Sequence, residues 1–223
     1  MKKYSIQITA IIFLLIMMSY KRVFAADSNL ISITTARTVP VKTKVEVEGV
    51  VIITPGTFDE GFAIQDPTGG IYVTSPIGNT IQLGDRVHVA GKIVAPNKEI
   101  WLEPSAVVVE SNGPMQEPLV VETGQVGRNT EGSLITVTGK ITSKVKRDWP
   151  WGWKLTINDG SGDLQVFIAA AIKMKILISP KRRINLEQLH VGQVLRVTGF
   201  SGRYQDLTEI LPRVQADIVI EKL

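Results

Sequence analysis

Short apolar runs alternate with glycine-led turns over residues 44–110, and the same succession returns over 133–220. Val45 and Val47, with polar residues between them, mark a strand with one packed face, and the run continues to Val50. Patterning of this kind predicts strands over 43–54, 61–66, 70–74, 86–94 and 100–110. It predicts a second set over 133–144, 153–159, 163–168, 193–200 and 207–220.

Three blocks recur in order. KVEVEGVVI at 44–52 corresponds to SLITVTGKI at 133–141, and FAIQDPTGGIYV at 62–73 to LTINDGSGDLQVFI at 155–168. IQLGDRVHVAGKI at 81–93 corresponds to EQLHVGQVLRVTGFS at 187–201. Spacing agrees as well: Gly84 to Gly91 matches Gly192 to Gly199, and Gly91 to Pro104 matches Gly199 to Pro212. The DPTGG and DGSGD elements supply turn residues for a tight hairpin, which accounts for Asp66 and Asp159. Gly91 and Gly199 fall where a strand of a small barrel bends sharply.

Five short strands in this grouping suit a Greek-key barrel. The expected fold is therefore all-β, with two tandem five-stranded barrels, the first over 26–113 and the second over 114–223. Asp159 to Gly192 is longer than Asp66 to Gly84, so the second copy carries an insertion between its third and fourth strands. AAAIKMKILI at 169–178 reads as helix there, and LEQL at 186–189 as a further short turn. SNGPMQEP at 111–118 separates the copies. The lead-ins at 31–44 and 119–132 resemble each other, and each is expected to lie along its barrel.

With these residues in view, the two copies resemble bacterial OB-fold modules of the nucleic-acid-binding type. They are similar in particular to modules repeated in secreted proteins, including extracellular nucleases, where they accompany a separate catalytic domain. The resemblance covers nearly all of 31–220. It implies OB barrels that bind through strands two and three and the strand 1–2 and 4–5 loops, with a helix between strands three and four.

Composition alters this picture at the N-terminus. Lys2 and Lys3 precede an apolar run from Ile8 to Met18, and VFAA offers small residues for cleavage before Ala26, so 1–25 is expected to be a signal peptide. The run is short for a permanent span, and an uncleaved anchor is the alternative reading. Export would put the protein in the periplasm or envelope, or secrete it. The leader's four basic residues equal the whole formal charge of +4. The remainder is neutral and gives no general argument for nucleic acid. Its halves differ, however, being acidic over 26–113 and basic over 114–223, so any polyanion preference belongs to the second. Cysteine is absent, which excludes disulfides and thiolate metal sites.

The second copy's strand 1–2 connection, SKVKRDWPWGW, sets Lys144, Lys146 and Arg147 beside Trp149, Trp151 and Trp153. Cations attract phosphates while indoles stack on bases, the two requirements for holding single strands. Lys154, with Arg203 and Tyr204 in the strand 4–5 connection, completes the candidate nucleic-acid-binding set, and Gln165 lies on the same sheet. Single-stranded DNA or RNA is the leading partner, and a separate nuclease or other partner protein is a further one. A non-enzymatic protein- or glycan-binding scaffold would use the same indoles, and packing over the barrel mouth is the plainest use of all. The insertion's Lys173, Lys175, Lys181, Arg182 and Arg183 read as solvated decoration. In the first copy, TPGTFDEG carries Phe58 with Asp59 and Glu60, which repel phosphate. That barrel is expected to be a spacer, an accessory platform or a protein contact, with Tyr72 and Trp101 half-buried.

Catalytic chemistry is not legible. His88 and His190 belong to no metal-ligand spacing or nucleophilic triad. The glycine-rich turns lack the Gly-Lys-Ser/Thr of a phosphate loop. No enzymatic role, cofactor or metal is expected.

Overall fold

The computed structural model describes residues 30–75, 80–170, 186, 189–204 and 206–221. The expected leader lies outside them. So do the insertion's basic cluster and its helix beyond Ala169 and Ala170. Among the described residues no helix is long and apolar enough to cross a membrane. Residues 31–223 belong to one compact unit.

The first barrel is built from β1 (Lys44–Ile53), β2 (Phe62–Asp66), β3 (Gly69–Val73), β4 (Asp85–Val94) and β5 (Trp101–Asn112). It closes in the order β1-β2-β3-β5-β4, with β3 and β5 parallel and β4 returning to β1. Val45, Val47, Val87 and Val89 point inward, as alternation requires, and fill the core with Phe62, Ile64, Ile71 and Leu102. After Gly49, β1 is buried on both faces, because Ile52 and Ile53 leave this core and join another cluster.

The second barrel repeats the plan with β7 (Leu134–Ile141), β9 (Gly152–Asn158), β10 (Asp163–Ala169), β11 (Val194–Tyr204) and β12 (Leu207–Leu211). β10 and β12 are parallel, and β11 pairs with β7 to close the ring. Three short strands are added: β6 (Leu119–Val120) beside β7, β8 (Lys146–Asp148) beside β9, and β13 (Ile218–Glu221) beside β11. Leu186 and Leu189 pack on this core and are the described part of the insertion's second turn. Both copies are thus OB-type five-stranded barrels.

The strand expected over 207–220 is two strands. Beyond Pro212 the Arg213 guanidinium is clasped by Asp217, at 3.0 Å from Nε to Oδ2 and 3.0 Å from Nη2 to Oδ1, and this folds the chain back before β13. β5 runs through the corresponding point unbroken. The shared Gly-to-Pro spacing has a common cause. A β-carbon on Gly91 would strike the Glu103 carbonyl oxygen, and one on Gly199 would strike that of Leu211. Each bend needs a bare backbone beside the residue that precedes the proline.

The lead-ins are fastened to their barrels by the repeated aspartates. Asp66 accepts from the N–H groups of Thr68 and Gly69 within its hairpin, and its other oxygen accepts from Ile33 N–H at 2.8 Å. Ile33 opens a one-turn helix, α1 (Ile33–Ala36), whose Ile33 and Ala36 are buried. Asp159 likewise accepts from Ser161 and, at 2.9 Å, from Thr123 N–H at the start of a 3-10 turn. Bonds from the Ser161 hydroxyl and N–H, then from Thr123, hold the Asp159 carboxyl well below the usual carboxylate range.

The barrels meet through a separate apolar cluster. Ile52, Ile53, Ala63 and Tyr72 of the first pack with Leu134 of the second, joined by Phe58, Trp101 and Phe200. The Tyr72 ring lies 5.0 Å from Trp101 and 6.2 Å from Phe200, and Phe58 lies 6.3 Å from Phe200. Polar groups are matched there: Leu134 N–H donates to Gln65 Oε1 at 2.7 Å, and Arg37 pairs with Glu131 at 3.3 Å. Gly70 and Gly132 touch through their backbones, so a β-carbon on either would strike the other's carbonyl oxygen. Glu99 lies half-buried at the edge of this junction. Burial, reinforced by Glu131, pushes its carboxyl from 4.5 up to about 7, against hydrogen bonds from the Arg203 backbone and the Trp101 side chain.

Two outcomes follow from the junction. Gly70→Val should cost about 3 kcal/mol in urea unfolding, because no rotamer change relieves a clash between backbones. The second concerns pH. The folded protein holds a proton on Glu99 that the unfolded chain releases above 4.5, so its contribution is complete below that pH and lost as pH rises through 7. Melting temperature should therefore fall between pH 5 and 8, and Glu99→Gln should flatten that decline and melt higher than the parent at pH 8.

Candidate functional site

The strand 1–2 connection of the second barrel is not a loose loop. Lys146 pairs with Lys154, Arg147 with Trp153 and Asp148 with Gly152, so β8 and β9 form a hairpin closed by Trp149, Pro150 and Trp151. The Trp149–Pro150 peptide is cis. Ala170 N–H donates to the Trp151 carbonyl at 2.8 Å, which anchors the hairpin to the end of β10.

Strand alternation sorts the side chains. Lys146, Asp148 and Lys154 share one side, where the Lys154 ammonium lies 3.3 Å from Asp148. Arg147 takes the opposite side and stacks 4.5 Å above the Trp149 ring, an arrangement worth roughly 0.5–1 kcal/mol at an exposed position. Trp149 and Trp151 are 73% and 71% exposed, so neither serves the core. Trp153 differs. It is half-buried and shares strand parity with the core residues Leu155 and Ile157. Two indoles, not three, project from the hairpin. Lys144 and Lys146 are exposed beside them.

The remaining candidates are divided. Arg203 donates to Asp206 at 3.1 Å, while Asp206 also lies 3.5 Å from Lys98, so this cation is turned toward the first barrel. Tyr204 and Leu207 are exposed at the tip of the β11–β12 hairpin. On the sheet, Gln165 donates to Glu209 at 2.8 Å. Burial raises the Glu209 carboxyl above its ordinary value, opposed by Gln165 and Lys154. This face is therefore capped by a closed amide–carboxylate pair rather than an open row of cations.

The corresponding surface of the first barrel is covered. Tyr72 is 7% exposed, its hydroxyl donates to Asp59, and burial with that carboxylate holds the phenol well above its ordinary value. Phe58 and Trp101 lie in the junction. The β2–β3 face and its flanking loops are occupied by the second barrel itself. Strand pairing also gathers Glu46, Glu48 and Glu110 around His88, a grouping that linear spacing did not reveal.

Neither a family model nor a curated protein matches the chain. Several solved structures are similar to parts of it. The hypothetical protein YgiW from E. coli is 16% identical, covering 36% of this chain and 89% of its own, with a TM-score of 0.33. The S. pombe Stn1–Ten1 complex is 18% identical over 40% of this chain, which spans 59% of that structure's chain, with a TM-score of 0.31. The OBody AM1L10 bound to hen egg-white lysozyme is 17% identical, covering 50% of this chain and all of its own, with a TM-score of 0.37. The fold itself rests on the strand pairings described above.

Because Trp149 and Trp151 support no packing, replacing both with alanine should shift the melting temperature by no more than about 2 °C. The same change should remove the red-edge component of tryptophan fluorescence, leaving Trp101 and Trp153. A larger fall in melting temperature would show that the indoles hold the barrel together.

Proposed function

We propose that this protein is a non-catalytic binding scaffold exported from the cytoplasm, which takes a partner protein through the β8–β9 hairpin. The observation that carries this reading is the exposure of Trp149 and Trp151 on a hairpin tied into the barrel. Exposed indoles are costly to leave in water and are the residues most often found at the centre of binding energy, together with arginine. Arg147 stacked on Trp149 supplies that pair in one place. The first barrel, whose β2–β3 face is filled by the second, serves as a rigid mount.

A second reading, single-stranded nucleic acid, is favoured by Lys144, Lys146 and Arg147 beside the two indoles. Each stacked base would add roughly 1–3 kcal/mol. Against it, Lys154 is neutralised by Asp148, and Glu209 occupies the adjoining sheet, so a phosphate track does not continue beyond the hairpin.

Affinity capture from the extracytoplasmic fraction, comparing the parent with the Trp149→Ala/Trp151→Ala variant, tests the first reading. The parent should retain a partner that the variant binds at least tenfold more weakly. Equal capture by both would remove the hairpin from consideration. Parallel titration with mixed-sequence oligonucleotides separates the readings: quenching that weakens steeply with salt would favour nucleic acid.

A further inference from the structure

We propose that the outer edge of β8 takes an extended segment of the partner protein as an added strand, one in which acidic and apolar residues alternate. This rests on the protein-binding reading above and specifies its mode of recognition. Residues 142–148 run alongside β9. Thr142 N–H donates to the Thr156 carbonyl at 2.9 Å, and Thr156 N–H donates to Ser143 Oγ at 2.8 Å. β8 then pairs with β9 from Lys146 to Asp148. On the side away from β9, no strand among the described residues pairs with this stretch. The first barrel, by contrast, is a closed ring.

Each residue of such a strand carries one backbone donor and one acceptor, and successive residues aim theirs at opposite edges. Every second residue along β8 therefore turns an N–H and a C=O away from β9. That is a template for another strand, in which main-chain bonds give affinity and side chains give the choice of partner. A phosphodiester offers acceptors without donors, so it leaves the carbonyls of the edge unmatched.

The side chains define which strand fits, because they alternate between the two faces. Lys144 and Lys146 are both exposed on one face, and among the described residues neither has an ion-pair partner. Asp148 follows them there but is engaged by Lys154 at 3.3 Å. On the other face Val145 packs on the second core, and Arg147 covers the Trp149 ring at 4.5 Å. An incoming strand thus meets two lysines on one side and apolar surface on the other. Carboxylates on the first side and apolar residues on the second satisfy both.

The same charges exclude a second copy paired through its own β8. That arrangement sets lysine against lysine across the new ladder, where like charges destabilise. Lysines on an exposed edge guard against self-pairing in this way, and an acidic strand turns the repulsion into attraction.

Nuclear magnetic resonance titration of the purified protein with a short peptide of alternating glutamate and valine tests this. Backbone amide signals of residues 144–148 should shift, with those of the first barrel unmoved. A lysine–valine peptide should bind roughly tenfold more weakly, and Lys144→Glu/Lys146→Glu should reverse that preference. N-methylation separates strand addition from charge attraction alone. Methylating all glutamates or all valines of the peptide blocks N–H groups on opposite edges, so only one of the two should weaken binding, by roughly tenfold or more. Equal effects of the two methylations, equal binding of the two peptides, or no shift at about 1 mM peptide would overturn the proposal. So would larger shifts of the same amides with a mixed-sequence oligonucleotide. A partner lost by Trp149→Ala/Trp151→Ala but held undiminished by Lys144→Glu/Lys146→Glu would sink strand addition and leave the binding scaffold standing.

Discussion

The contact between Gly70 and Gly132 sets the distance at which the two barrels meet, and most of what differs between them follows from it. With no side chain on either residue, the backbones touch, and Leu134 and Phe200 are brought against Ile52, Ile53, Ala63 and Tyr72. Burial at the edge of this apolar seal shifts the charged groups there from their ordinary values: the half-buried Glu99 upward, and Arg37 downward despite Glu131. A junction of this kind couples the barrels, and it uses the face through which an OB barrel ordinarily meets a ligand. That face of the first barrel is covered, so under the proposed function outward contact falls to the second.

Much of this architecture was legible in the residues because duplication reports the same physical requirement twice. Gly91 with Pro104 and Gly199 with Pro212 each mark a bend at which a carbonyl presses on a bare α-carbon. Asp66 and Asp159 each close a hairpin, and their turn positions were evident. What sequence could not show is that each carboxylate also reaches back about 33 or 36 residues to fasten the lead-in. That bond depends on where the chain has travelled before the hairpin, which no local pattern records. The split after Pro212 was hidden for a similar reason: the Arg213–Asp217 clasp overrides an apolar rhythm that reads as one continuous strand.

The candidate site was legible in part. Trp149 and Trp151 stood out by composition, and their exposure agrees with the position of SKVKRDWPWGW between two strands. Trp153 belongs to β9 and takes the parity of Leu155, a distinction that depends on where the hairpin ends. The pairing of Lys154 with Asp148, and of Arg203 with Asp206, was equally out of reach, since net charge along a segment counts cations without saying which are already neutralised. His88 is the clearest instance. Its carboxylate neighbours come from the two strands that flank its own, one of them through a slip in register, and only the closed barrel brings them together.

The two copies use the strand 1–2 connection in opposite ways, and a local cause can be named. In the first, residues 54–61 form a compact turn in which Asp59 accepts from Gly61 N–H at 2.7 Å and from the Tyr72 hydroxyl, holding Phe58 against Phe200. The turn is folded inward by its own acid. In the second, the longer connection has enough residues to form β8, and pairing with β9 carries its tip past the end of the barrel. An aromatic residue at the first position is packed against the sister barrel, while Trp149 and Trp151 at the second stay exposed. Length and one aspartate thus decide which copy of a common element is packed between the barrels and which stays exposed.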